Sequence, residues 1–268
     1  MNTLLEFLNT QMRQPNPWGS LKSGWFHYIS LVLMIIGMVI VVIRFKHISE
    51  EKLKKTLVVY ACILLIFEVY KQVIFTYQAS AYQWYAFPFQ FCSTPMYVSL
   101  VAGLTKNNKL RTYLIAFLAT FGFFAGIAVM LYPETVFVGT LGINMQTMIH
   151  HGGMAIIGLG LLVHQIKLES KTILKASLVF SCLVGIAMLM NFIHNTWIQE
   201  GTFNMFFINH LYENGIPVLS LFQPLVPHVI FLMIYIFGFS LVAYIILMIR
   251  IGVSKISLNA KVLVKKHT

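Results

Sequence analysis

The sequence predicts an all-α integral membrane protein of about seven transmembrane helices, with its N-terminus outside and its C-terminus in the cytoplasm. Three observations carry this. The 268 residues are 58% hydrophobic and only 10% charged, against about 25% charged in a soluble domain. Apolar runs near the ~20 residues that cross a hydrocarbon core recur at 26–44, 56–76, 88–105, 110–131, 144–165, 172–194 and 224–250. The cations fall in alternate connections: Arg44, Lys46, Lys52, Lys54 and Lys55 after the first run, Lys106, Lys109 and Arg111 after the third, Lys167, Lys171 and Lys175 after the fifth, and Arg250, Lys255, Lys261, Lys265 and Lys266 in the tail. The connections after the second, fourth and sixth runs hold none, a pattern that marks the cytoplasmic side. This clustering also argues against nucleic acid as the reason for the net charge of +11. Membrane phospholipids are the expected partners of such a multi-pass protein of the cell membrane.

Residues 1–25 form an N-terminal interfacial segment. Leu4, Leu5, Leu8 and Met12 fall near helical spacing and predict a short helix ended by Pro15 and Pro17. The segment lacks the basic start and small-residue cleavage site of a signal peptide. The seven spans make one domain, 26–250. The third is the shortest and is expected to begin at Pro88, a favoured first-turn residue, with Tyr82, Trp84 and Tyr85 before it as an outer aromatic belt. Gly122 and Gly126 read as a packing motif in the fourth span. Residues 195–223 are long yet rich in Phe, Ile and Leu. They predict a lid or re-entrant element, which membranes tolerate where the backbone is buried in protein or lines a cavity. Residues 251–268 make a basic cytoplasmic tail.

Ionisable groups inside spans are costly and mark function. Here the polar residues collect at the outer ends: Glu68, Lys71 and Gln72 in the second span, Gln90 and Cys92 in the third, Asn144, Gln146, Thr147, His150 and His151 in the fifth, Asn191, His194 and Asn195 around the end of the sixth, and His228 in the seventh. Thr147 and His151 share a helix face, as do Gln146 and His150, whereas His150 and His151 point about 100° apart. Cys92 would lie about 6 Å and His151 about 10 Å into their helices, near the level of a phospholipid ester.

Each feature has a plainer reading. Cysteine packs well between helices, which accounts for Cys62 and Cys182 and competes evenly with a nucleophilic role for Cys92. His150 and His151 precede Gly152 and Gly153 and serve either as helix-contact glue or as a base. His194, His210 and His228 lack metal-site spacing, so no metal is expected. Glu68 and Lys71 suit a structural ion pair better than a proton relay.

FPFQFCSTPMYVSL, then MIHHGGMAIIGLGLLV, then NFIHNTW and NMFFINH resemble the bacterial YwaF-like integral membrane family, distantly related to eukaryotic TMEM-type phospholipid acyltransferases. The resemblance covers roughly 84–245. It implies that Cys92 is the acyl-accepting nucleophile and His151 its general base, with no soluble cofactor. That family opens the helix with LPLHLC, and Gln90 stands where its histidine would be, so His150 is a candidate substitute. The expected function is therefore a lipid acyltransferase or acyl hydrolase working through a Cys–His thioester. Gln90 or Asn191 would stabilise the oxyanion, and residues 195–223 would gate the site. The alternative is a lipid or small-solute transporter, or a subunit of a larger membrane complex, in which the polar layer is a binding pocket.

Overall fold

The computed structural model describes residues 2–267, with side chains from 3 to 256. Lys261, Lys265 and Lys266 of the basic tail lie outside the described side chains. Ten α-helices follow in order: α1 (Asn2–Leu8), α2 (Leu21–Phe45), α3 (Glu50–Ala79), α4 (Thr94–Leu104), α5 (Asn108–Phe117), α6 (Phe123–Leu131), α7 (Leu141–His164), α8 (Lys171–Ile193), α9 (Leu219–Phe222) and α10 (His228–His267). A π-turn, Leu118–Gly122, joins α5 and α6 into one rod, and another, His194–Ile198, extends α8. Among the described residues there is no strand.

Among the described residues six helical stretches are long and apolar enough to cross a membrane: Leu21–Phe45, Glu50–Ala79, Asn108–Leu131, Leu141–His164, Lys171–Ile198 and His228–Ile256. The run expected to form the third span does not reach that length. Its helix begins at Thr94, with Pro95 in the first turn, and not at Pro88. The reason is local. Phe87 precedes Pro88 and is extended, at φ −49° and ψ 135°, because proline's ring disfavours the α region for the residue before it. Gln90 is extended too.

Burial ranks the helices. In the rod α5–α6 67% of the apolar window is buried and in α7 56%, against 22% for α2 and for α10. The rod and α7 are therefore central, and α2 and α10 turn Leu33, Ile36, Ile40, Phe237 and Leu241 outward. Helix α7 packs against α2, α3 and α6, and α8 packs against α5 and α10. Gly126 sets the α6–α7 distance: a Cβ there would lie 2.6 Å from both the Ala155 nitrogen and the His151 carbonyl oxygen. Gly122 faces no such contact, its nearest neighbours being 3.8 Å away, so only the second glycine of the motif is required by packing. Gly153 makes room for the Tyr60 ring, whose Cε2 would be 2.8 Å from a Cβ.

The chain ends and loops are tied by polar groups. Ser49 caps α3 through the Lys52 N–H, and Asn107 caps α5 through those of Lys109 and Leu110. Buried Arg111 donates to the carbonyls of Ala102 and Thr105, to Asn108 and to Glu50, fixing the α4–α5 corner. The N-terminal helix stops at Leu8, well before the prolines. Residues 10–16 then run without helix against the α6–α7 loop, where the Met12 N–H donates to Gly139 O and the Gln14 amide to Phe137 O, and the Trp18 indole donates to Leu131 O at the end of α6. Tyr70 of α3 donates to Leu8 O at 2.7 Å. Pairing with this loop satisfies the backbone that a longer helix would have satisfied internally.

A candidate Cys–His site beneath a strained plug

Within residues 195–223, the stretch 203–209 is folded into the bundle, while most of the remainder is exposed. Met205 and Phe206 are fully buried, and Phe203 and Ile208 nearly so. The Phe206 ring stands 6.2 Å from that of Phe180, 6.0 Å from Phe91 and 5.9 Å from Phe89. Phe180 in turn stacks on Phe121 and Tyr235. The backbone here is strained: Phe206 and Phe207 both have left-handed φ, 60° and 57°. That conformation costs about 1–3 kcal/mol per non-glycine residue and persists only where surrounding contacts over-determine it.

The contacts are side-chain amides. Asn191 grips Met205 from both sides, donating to its carbonyl at 3.1 Å and accepting its N–H at 2.9 Å. Gln90 donates to Asn204 O at 2.9 Å and accepts the Phe206 N–H at 2.9 Å. Asn195 pairs with Asn209, whose amide also donates to Phe203 O. Asn204 accepts the Asn209 N–H, and Asn214 donates to Phe207 O. His194 lies flat on Phe203, with centroids 4.4 Å apart and planes within 5°. The three residues placed on one face of the sixth span, Asn191, His194 and Asn195, thus all hold the plug. Asn204, Asn209 and Asn214 were not singled out from the sequence. Their signal was present as short amides inside an apolar stretch, where asparagine commonly replaces backbone partners in turns.

Cys92 sits in a 3₁₀ turn, Phe91–Ser93, immediately before α4. It is half-buried and packs against the main core. The depth expected for it from a helix starting at Pro88 therefore does not apply. His150 reaches across from α7 and its Nε2 donates to the Cys92 carbonyl at 2.8 Å. In the neutral ring that bond leaves Nδ1 with the lone pair, and this buried atom has no partner among the described residues. The Nδ1 of His151 donates to Thr147 O at 2.8 Å, so in the neutral ring Nε2, the nitrogen farther from the backbone, carries its lone pair. The two rings lie 5.3 Å apart.

Lys71 and Glu68 form a buried ion pair at 2.8 Å, and Gln72 donates to the same Glu68 oxygen and to Ala86 O. Tyr235 of α10 is fully buried, and its hydroxyl has no hydrogen-bond partner among the described residues. His228 stands apart from these contacts, 5.6 Å from His210 and stacked on Phe231. Among the described residues no group of three His, Cys, Asp or Glu is placed to hold a metal ion.

His150 thus meets the Cys92 turn through its carbonyl, and His151 lies beside His150. Gln90 and Asn191, expected to face an oxyanion, instead carry the plug backbone. Compared with known proteins, residues 22–259 match the TMEM164 family. No curated protein and no solved structure matches the chain.

Proposed function

The chain belongs to the TMEM164 family of membrane proteins, and on that premise we propose that it is an acyl-transfer enzyme acting on phospholipids in the bacterial cell membrane, akin to the YwaF-like proteins. Cys92 is the nucleophile and His151 the base. The observation that carries this reading is the His150–Cys92 carbonyl bond. It ties the first of the tandem histidines of α7 to the turn that holds the Cys92 thiol. The two ring nitrogens of His150 point to nearly opposite sides, so with Nε2 spent on the carbonyl its free nitrogen faces away from residue 92. His150 then positions the turn, and Nε2 of His151, the ring nitrogen not bonded to Thr147 O, is left to take a proton. Nε2 of His151 accepts the Cys92 proton, and the thiolate attacks an acyl ester carbonyl. The tetrahedral intermediate collapses to a thioester as the lysophospholipid leaves, its alkoxide oxygen taking the proton from His151. An acceptor hydroxyl then gives its proton to His151 and attacks the thioester. The new ester forms, and the proton returns to the Cys92 sulfur.

The unpartnered Tyr235 hydroxyl is the oxyanion donor. That role passes to Tyr235 because Gln90 and Asn191 are engaged by residues 204–206. Residues 195–223 gate the site as a strained plug. The turn and α4 together make a seventh, short crossing, which leaves the N-terminus and the site on the outer side, as the cation pattern requires.

The test is peptide mass spectrometry of the purified protein after incubation with phospholipid. The expected result is an acyl adduct on Cys92, removed by neutral hydroxylamine and lost in His151→Ala. Absence of an adduct across a broad lipid panel, with Cys92 readily alkylated, would overturn the enzyme and favour a transport or binding role for the same pocket.

A further inference from the structure

A further cavity lies at the other end of α3 from Lys71. Between α2 and α3 a cavity of about 650 Å³ is lined by Arg44, His47, Ile48, Lys52, Lys55, Thr56, Val59, Tyr60 and Ile63. Its composition changes along α3. Arg44, His47, Lys52 and Lys55 form the rim toward the α2–α3 loop, and Val59, Tyr60 and Ile63 form an apolar floor further along, open at Val59 and Ile63, which are 49% and 43% exposed. Lys52, Lys55, Thr56, Val59, Tyr60 and Ile63 follow the three- and four-residue spacing of one helix face. From Lys52 to Ile63 that face runs about 16 Å, the depth of a headgroup and the upper part of an acyl chain.

The rim cations are free. Glu51, the acid nearest in sequence, makes no ion pair among the described residues, and Glu50 is held by Lys54 and Arg111. Arg44, Lys52 and Lys55 make no ion pair among the described residues. Cations without carboxylate partners above an apolar channel match a phosphodiester above a hydrocarbon tail. Lys52 is about 28 Å along α3 from Lys71, close to the thickness of a hydrocarbon core, so this groove is separate from the Cys92 layer and faces the opposite leaflet.

We propose that the α2–α3 groove binds one anionic phospholipid, its phosphate held by Arg44, Lys52 and Lys55 and one acyl chain laid on Val59, Tyr60 and Ile63. The experiment is native mass spectrometry of the intact protein released from micelles containing phosphatidylglycerol or phosphatidylcholine, with glycerol phosphate as a soluble competitor. One lipid should bind with a preference for phosphatidylglycerol of about tenfold or more, three rim cations being enough for this. The triple variant Arg44→Gln/Lys52→Gln/Lys55→Gln should lose that preference. A control that removes three cations elsewhere, Lys106→Gln/Lys109→Gln/Lys167→Gln, should keep it. Ile63→Trp, which fills the floor and leaves every charge in place, should weaken binding several-fold and keeps the proposal testable if the triple variant fails to fold. Equal loss in both triple variants would reduce the effect to general surface charge. No effect of Ile63→Trp, or displacement by glycerol phosphate at concentrations matching the lipid, would remove the acyl chain from the site. Any of these results would overturn the proposal.

Discussion

Replacing Asn191 by leucine removes the amide that holds the plug and keeps the volume of the side chain. The Met205 N–H, bonded to Asn191 Oδ1 at 2.9 Å, is then left without a partner beside a fully buried residue. The Met205 carbonyl is less affected, because it also accepts from the Ile208 N–H at 3.3 Å. The loss is thus close to that of one buried, unsatisfied donor, about 1–3 kcal/mol. It falls on a segment already strained at Phe206 and Phe207, so it should appear as local opening and not as global unfolding. At about 1.4 kcal/mol per tenfold, the amides of 205–208 should exchange hydrogen roughly 5- to 100-fold faster in Asn191→Leu. Hydrogen–deuterium exchange of the protein in lipid nanodiscs, followed on peptides spanning 203–214, measures this directly. Peptides from α7 should be unchanged. Unaltered protection of 205–208 would refute the reasoning that side-chain amides over-determine the plug. A uniform rise over the whole chain would refute its local character.

Two further outcomes are expected. Glutamine can donate a hydrogen bond but cannot take a proton, so His150→Gln should keep Cys92 acylation within about tenfold, while His151→Gln should lower its rate by about 10²–10⁴; the reverse order in single-turnover acylation would exchange the two roles. Lys71→Met strands the Glu68 carboxylate, whose side chain is only 5% exposed, and should cost about 3–5 kcal/mol in denaturant titrations, with Glu68→Gln added in the same chain restoring most of the loss.

Much of the architecture was legible because a bilayer imposes simple rules. Low charge and recurrent apolar runs identify membrane helices, since backbone polar groups in hydrocarbon must be satisfied within the element. Helical spacing also placed Asn191, His194 and Asn195 on one face, and Thr147 behind His151, because those relations depend on one helix at a time. The candidate residues Cys92 and His151 came from residue type and resemblance, which say nothing of which helices touch. The failures were at proline and at contacts distant in sequence. Pro88 read as a helix start, yet the backbone before it was held extended, and the amide of Gln90, bonded to residues 204–206, keeps the following turn out of the helix.

By itself, then, the sequence determined an all-helical membrane protein, the layer where its polar groups gather and the faces on which they lie, because apolar length and helical period are local properties of the chain. Only the tertiary structure decided that His150 binds the Cys92 carbonyl, that Gln90 and Asn191 serve the plug, and that three cations remain unpaired above the α2–α3 groove. Those facts depend on helix order around the bundle and on hydrogen bonds spanning 14 to 116 residues of chain, and a bond of that kind leaves no periodic trace in one sequence.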